Sequence, residues 1–496
     1  MESIREASKV PSTLMKAVIK SIGFGFYLVW QRMLVNTPLL NVQFDGSILG
    51  IPIDRIYNLY NTLLIVILFV FIGIILPVKY LPLNAHKSLY VVAALFAGFG
   101  TIITTQDANT LPLLVVCPVF KGLGEVLIIL MWGEYCRSIG LHRIGLFLLF
   151  SHLFAAGIFI ITVYTPNTIS LLLTTLYPIL SVLLLLWDRK RSVRNNMVVV
   201  KSTEHQVFTV IKSVGLLKVF LSLGVLYFSV YLAFFSIDSI ELIVLYDHNI
   251  LMAINAATVI TAILTLSGVA LLKRKSRLDI IVNIIIVVLA IGHILIPFIG
   301  PSQGLLVSVI LKCGNTGFFL VSWIVFSGIT HSLNVPPAKV FAWGRALSIG
   351  GIGLGSFAGS LIVLIPAENE TSLIIITLLN MFLLILSAAF LSSGYMIVRN
   401  LEASTQELDF TAQVLESIVK KHGLTSREKE VAAFLIRGRS LPYLEKELGI
   451  SHGTANAHMQ KIYRKLDIHS RQELLDAFQS VEKEFFDRQG QTLHHS

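Results

Sequence analysis

Along the first 400 residues the chain alternates between long apolar runs and short polar breaks. "LYNTLLIVILFVFIGIIL" at 59–76 carries no charge over 18 residues. At about 1.5 Å per residue, such a run crosses a hydrocarbon layer as a helix. Similar runs recur at 18–38, 88–106, 111–134, 143–164, 168–187, 214–236, 249–272, 279–299, 304–328, 343–365 and 371–397. Backbone in lipid has to satisfy its own hydrogen bonds, so each run is expected to be a helix. Gln31 and Arg32 interrupt the first. The pattern predicts an all-α membrane bundle of about 12 spans over residues 1–398, a helical linker over 399–422 and a small polar domain over 423–496.

The pattern changes after Asn400. "LEASTQELDFTAQVLESIVKKHG" is amphipathic, and Leu401, Leu408 and Leu415 recur every seven residues. That spacing suits either a short coiled coil or packing onto the domain that follows. Thr425 and Glu428 then have the spacing of a capping box, and the helix they open ends by Gly438. Its buried face is Val431, Phe434 and Leu435. A short second helix carries Leu444 and Leu448, "LGIS" turns the chain, and Ser451 caps a third helix. A fourth begins near Arg471, with Leu474, Phe478, Val481 and Phe485 along one side.

The third of these helices carries the chemistry. At about 100° per residue, Ala455, Met459, Ile462 and Leu466 form one stripe facing the core. Opposite lie Ala457, Gln460 and Arg464, flanked by Asn456 and Lys461, with Lys465 further round. Amides read base edges and cations hold phosphates, so this face suits duplex DNA. A short helix and a tight turn precede it, the layout of a helix-turn-helix. A small helical protein-interaction domain with a solvated face is the alternative.

Composition and charge sharpen the division. Only 14% of the 496 residues are charged, and mean hydropathy is +0.77, which excludes an ordinary soluble protein. The formal net charge is +10, yet residues 401–496 hold 13 Lys and Arg against 14 Asp and Glu. The positive excess therefore belongs to the membrane part. Alternate loops carry it: Lys79 and Lys87; Arg137 and Arg143; Arg189, Lys190, Arg191, Arg194 and Lys201; Lys273, Arg274, Lys275 and Arg277; Lys339 and Arg345. The intervening loops have no Lys or Arg, apart from Arg55 beside the second span. This bias predicts a multi-pass membrane protein with both termini in the cytoplasm. The basic N-terminal stretch (Arg5, Lys9, Lys16, Lys20) reads as the flank of an uncleaved first span. Cys117, Cys136 and Cys313 are odd in number and include no CxxC, which points to core residues.

The membrane part contains an internal echo. "KGLGEVLIILMW" (121–132) and "KCGNTGFFLVSW" (312–323) both place Lys eleven residues before Trp. "RIGLFLLFSHLFAAG" (143–157) and "RALSIGGIGLGSFAG" (345–359) both run from Arg to Ala-Gly. The matches fall in spans four and ten, then five and eleven, the order expected of two parallel six-span halves. With the long basic central loop, this architecture resembles the major facilitator superfamily. That resemblance implies a 6+6 transporter fold. The loop between spans two and three, "PVKYLPLNAHK", lacks the Asp, Arg and Gly of the family's Gly-x-x-x-Asp-Arg-x-Gly-Arg signature, which argues against active transport.

Ionisable residues inside a membrane cost roughly 2.5–3.5 kcal/mol at the bilayer centre and usually face an interior cavity. Lys121 and Glu125 share one face of span four, and Lys312 stands at the matching place in span ten. With Arg32 they are candidate ligand-binding residues for an anionic small molecule; a structural ion pair is the alternative. Trp132 and Trp323 either line the same cavity or pack. His152, His293 and Asn315 are expected to be packed or hydrogen-bonded, and "GGIGLGSFAG" to serve close helix packing. No metal-ligand spacing, nucleophile–base pair or phosphate loop occurs. No cofactor is expected, and nothing argues for an enzyme.

The tail, "LTSREKEVAAFLIRGRS…LGISHGTANAHMQKIYRKLDIHSRQEL" (424–474), resembles the LuxR-type DNA-binding domain. Positions such as Leu424, Thr425, Glu428, Gly449, Ser451, Thr454, His458, Ile462 and Lys465 match. Thr454-Ala455-Asn456 stands where Thr-Val-Lys is common, Gln460 where a basic residue is common, and Tyr443-Leu444-Glu445 where Glu-Ile-Ala is usual. By position, the resemblance makes Asn456, Ala457 and Gln460 base readers and Thr454, Lys461, Arg464 and Lys465 backbone holders. It implies pairing of two heads on DNA. Together the two resemblances imply a bacterial transcription regulator embedded in the cell (inner) membrane that senses a ligand and binds promoters. A transporter with a regulatory tail, and a DNA-binding domain on an inert anchor, are the competing readings.

Overall fold

A computed structural model describes residues 19–35, 47–48, 51–103, 111–139, 141–187, 189, 214–239, 248–271, 277–298, 304–361, 374–391, 414–415, 417–419, 421–436, 441–470, 472–478 and 480–481. The chain divides into two compact units, Met1–Val398 and Arg399–Ser496.

The first unit is a helical bundle. In chain order its helices are α1 (19–35), α2 (Ile53–Val70), α3 (Lys87–Ile103), α4 (Leu111–Ile139), α5 (Leu141–Val163), α6 (Asn167–Trp187), α7 (Val214–Ser239), α8 (His248–Leu271), α9 (Arg277–Leu295), α10 (Gly304–Ser332), α11 (Pro337–Ser360) and α12 (Ile374–Leu391). Among the described residues nine are long and apolar enough to cross a membrane. The other three are α1, the 17-residue α3, and α11, which is rich in glycine and carries Lys339 and Arg345. One departure from an all-helical chain is a two-residue antiparallel pair before α2, β1 (Ser47–Ile48) with β2 (Ile51–Pro52).

The interior is aromatic. Phe24 on α1 takes Trp132 of α4 at 5.4 Å and Trp323 of α10 at 4.8 Å, ring centre to ring centre. The two tryptophans that the internal echo aligns therefore meet on one residue, and both are fully buried. The indole of Trp132 donates to Ser181 Oγ at 3.0 Å. Large apolar side chains such as Ile67, Leu264 and Phe382 instead lie exposed on the outside, as lipid-facing positions do. The glycines of 350–359 seat α11 against its neighbours. A Cβ on Gly351 would stand 2.1 Å from the Gly224 carbonyl oxygen of α7, and one on Gly355 2.3 Å from that of Phe228.

One end of the bundle is tied by cations on backbone carbonyls. Lys339 on α11 donates to Ile72 and Leu76, at the end of α2. Arg137 on α4 donates to the Thr330 carbonyl and, at 3.0 Å, to Asn334 Oδ1 beyond α10. The α2–α3 connection is fixed by Glu134 of α4, whose carboxylate accepts the Leu83 and Asn84 amides at 2.7 and 2.8 Å. Arg189 donates to the Asn84 carbonyl from the other side at 2.8 Å. A loop without the signature's charges is thus held by its own amides.

The second unit has its own core. Its helices are α13 (Ser426–Ile436), α14 (Leu441–Leu448), α15 (His452–Leu466) and α16 (472–478). The Thr425 amide donates to Glu428 Oε2 at 2.8 Å while the Glu428 amide donates to Thr425 Oγ1 at 3.3 Å, the reciprocal geometry of a capping box. Gly449, at φ +60°, makes the turn between α14 and α15 in a conformation that glycine adopts without steric cost. Val414, Leu415 and Ile418 are buried with Val431, Leu435, Leu444 and Ile462, so this part of the segment expected to be a linker belongs to the domain core. Leu401, Leu408 and Phe485 lie outside the described residues.

Candidate ligand cavity and nucleic-acid interface

The membrane unit contains a partly open cavity of about 1050 Å³. Arg32 of α1, Lys121 and Glu125 of α4 and Lys312 of α10 all line it. Arg32, the Lys121–Glu125 pair and Lys312, separated by 89 or more positions in the chain, are thereby brought to one space. The lining also includes Asp54, Arg55, His152, Asn255, Asn315 and Arg345. Five cations therefore face two acids.

The pairing is incomplete. Arg55 lies 3.4 Å from Asp54 Oδ2. Arg32 donates to Asn255 Oδ1 at 2.8 Å, a neutral acceptor that leaves its charge uncompensated. Lys121 and Gln31 act on the buried Glu125 carboxylate. Lys312 has no hydrogen bond or ion pair among the described residues, and the nearby Arg32 repels it. Two like charges facing one cavity repel each other, a cost that an anion between them would offset.

His152 lines the cavity with Nδ1 on the Leu148 carbonyl at 2.9 Å, and His293 is buried between Leu289 and Ser229. Asn315 Nδ2 donates to the Tyr231 hydroxyl at 3.4 Å. Trp132 and Trp323 pack in the core. The sequence counted Arg345 with the loop charges although its eleventh run begins at 343; the structure starts that helix six residues earlier, at Pro337. The Pro336–Pro337 pair starts α11 at Pro337, since proline suits the first helical position. Arg345 then falls on the third turn, 5% exposed. That proline signal was readable in the sequence.

The second site is α15. Ser451 caps it, accepting the Thr454 amide at 3.3 Å. Ala455 and Ile462 are buried, with Met459 and Leu466 partly so, and Tyr463 joins them in the core. Thr454, Asn456, Ala457, Gln460, Lys461 and Arg464 are exposed along the other side. The side chains of Asn456, Gln460, Lys461 and Arg464 make no bond to other described residues. Lys465 differs: its Nζ donates to Glu428 Oε2 at 2.7 Å and to the Gly423 carbonyl at 2.8 Å. Its charge ties α15 to α13 instead of projecting outward.

Residues 422–478 match the family described as bacterial regulatory proteins, luxR family (GerE). No curated protein matches the chain. Among solved structures, the human organic anion transporter MFSD10 (TETRAN) superposes with a TM-score of 0.53 at 13% identity, covering 75% of this chain and 99% of that one. A bacterial homologue of the iron transporter ferroportin, in an outward-facing state, gives 0.53 at 14% identity over 77% of this chain and 99% of its own. The same homologue with soaked iron gives 0.51 at 13%, over 79% and 98%. The chain thus joins a multi-pass membrane unit that shares the fold of these transporters to a helix-turn-helix domain that the luxR family matches. Neither is typically an enzyme.

Proposed function

We propose that this protein is a one-component transcription regulator of the bacterial inner membrane, with twelve spans and both termini in the cytoplasm. The transporter-like unit senses a small anionic ligand, and the luxR-family head binds promoter DNA. The observation that carries this reading is the union, in one chain, of a DNA-binding domain with a membrane unit whose cavity gathers uncompensated cations.

The mechanism is a population shift. The bundle has more than one packing, and a ligand can move their balance only by its difference in affinity for them. The favoured packing changes how the DNA-binding heads are placed or paired. Two heads bind as a dimer on adjacent half-sites. Asn456, Ala457 and Gln460 read bases, the two amides preferring adenine. Thr454, Lys461 and Arg464 hold the backbone.

Genome-wide DNA capture in the native host, comparing the full-length protein with an Asn456→Ala, Gln460→Ala variant, tests this. Discrete sites lost in the variant are expected. No enriched sites under several growth conditions would sink it. The rival, an active transporter with a regulatory tail, draws on the transporters that share the fold. It requires net flux in proteoliposomes that survives deletion of residues 401–496.

A further inference from the structure

Arg345 is a deeply buried charge whose role the sensor reading leaves open. It is 5% exposed, lines the cavity, and has no carboxylate partner among the described residues. Aromatic rings surround it: its guanidinium carbon lies 4.8 Å from the centre of Phe319, 5.0 Å from Trp323 and 5.7 Å from Phe326. These contacts occupy the ring-facing surface of the guanidinium. They leave its edge donors unused, and Nε and Nη2 have no hydrogen-bond partner.

Those two nitrogens are the pair whose N–H bonds run parallel on one side of a guanidinium, the fork that matches the two oxygens of a carboxylate. Other donors nearby are also idle. Tyr227 stands close enough to act on the Arg345 guanidinium, but its hydroxyl makes no bond of hydrogen-bond geometry, and neither does the indole nitrogen of Trp323. Buried donors without acceptors are costly, and their concentration around one cation marks the place where an acceptor-rich group belongs.

Cavity size and walls narrow the class. A volume of about 1050 Å³ lies at the upper end for organic ligands, about 300–1,000 Å³, far beyond one inorganic ion. Phe159, Tyr231, Phe234 and Phe357 line the same space and offer flat apolar surface. We propose that Arg345 anchors a planar, carboxylate-bearing organic anion through Nε and Nη2, with Lys312 and Lys121 meeting a second negative group. This rests on the sensor reading of the cavity and specifies its ligand class.

Isothermal calorimetry of the full-length protein in phosphatidylcholine nanodiscs tests the assignment, with naphthalene-2,6-dicarboxylate and its diamide as probes. The dicarboxylate is expected to bind and the diamide to bind at least tenfold more weakly. Arg345→Lys keeps the charge but loses the fork, and is expected to weaken dicarboxylate binding at least tenfold. Tyr227→Phe, a milder change, is expected to weaken it severalfold, which keeps the test open if Arg345→Lys does not fold. No binding of the dicarboxylate, equal binding of the diamide, or wild-type affinity in a folded Arg345→Lys protein would overturn the proposal. Adding phosphatidylserine should leave the affinity unchanged; competition would show that a lipid carboxylate, not a free ligand, fills the site. DNA is absent from this measurement. Binding without any promoter occupancy would therefore overturn the regulator and leave this site standing.

Discussion

Lys465 on α15 donates its ammonium to Glu428 on α13 at 2.7 Å, joining the exposed helix to the helix behind it. Glu428 is 4% exposed. Burial by itself would raise its pKa, but the hydrogen bonds from Lys465 and Thr425 outweigh that and bring it from 4.5 down to about 2.

The sign follows from linkage. A depressed carboxylate pKa means that the unfolded chain binds the proton more tightly than the folded one. The contribution of Glu428 is therefore complete above about pH 4.5 and is lost as pH falls toward about 2. The unit Arg399–Ser496, expressed alone, should fold and lose stability over that window. Urea denaturation followed by circular dichroism should show Glu428→Gln to be about 1–2 kcal/mol less stable at pH 7, allowing for solvent screening. The difference should vanish near pH 2.

The exposed face of α15 divides into two kinds of residue, and binding assays should separate them. Asn456→Ala and Gln460→Ala should each cost about 1–3 kcal/mol on the preferred site and little on random duplex. Lys461→Ala and Arg464→Ala should weaken both duplexes alike and reduce the salt dependence of binding by about one ion each. Lys465→Ala should act through stability, because its charge is spent on Glu428. Fluorescence anisotropy across a salt series distinguishes all three behaviours.

The helix-turn-helix was legible because its signals are local. A capping pair three residues apart, a glycine turn and a 3.6-residue stripe need no knowledge of distant chain. Lys465 escaped because its partner lies 37 residues away. In the membrane unit, hydropathy located the helices and the cost of intramembrane charge singled out Arg32, Lys121, Glu125 and Lys312, all on the cavity. Arg345 was missed as a cavity residue because, at the start of the run 343–365, it was counted with the loop charges. Only the helix start at Pro337 moves it inward. Asn255 as the partner of Arg32 could not be read from spacing, since 223 residues separate them.

The glycines of α11 offer a direct test of packing. Gly351→Ala places a methyl 2.1 Å from the Gly224 carbonyl oxygen, so the two helices must separate. A cost of about 1–3 kcal/mol is expected, typical of overpacking. Gly157→Ala on α5 meets nothing within 4 Å and should be neutral or slightly stabilising, as alanine suits a helix better than glycine. Thermal unfolding in detergent, read by tryptophan fluorescence, makes the comparison. Equal behaviour of the two variants would show that α7 and α11 are not held this closely.

Lys312 and Arg32 provide the test that separates a sensor from an inert anchor. Both line one cavity, and in the unliganded protein their charges repel. Lys312→Gln removes that repulsion while keeping a hydrogen-bonding side chain, one bond shorter. The unliganded variant should therefore melt a few degrees higher at low salt, and the gain should shrink as salt screens the wild type. In a sensor the ligand offsets that repulsion on binding, and it shifts the balance between packings as far as the offset differs between them. Lys312→Gln should accordingly make promoter occupancy insensitive to growth conditions that change it in the wild type. An anchor would show the melting shift alone, with occupancy following the wild type in every condition. Chromatin capture of the two proteins across the same set of cultures decides between them.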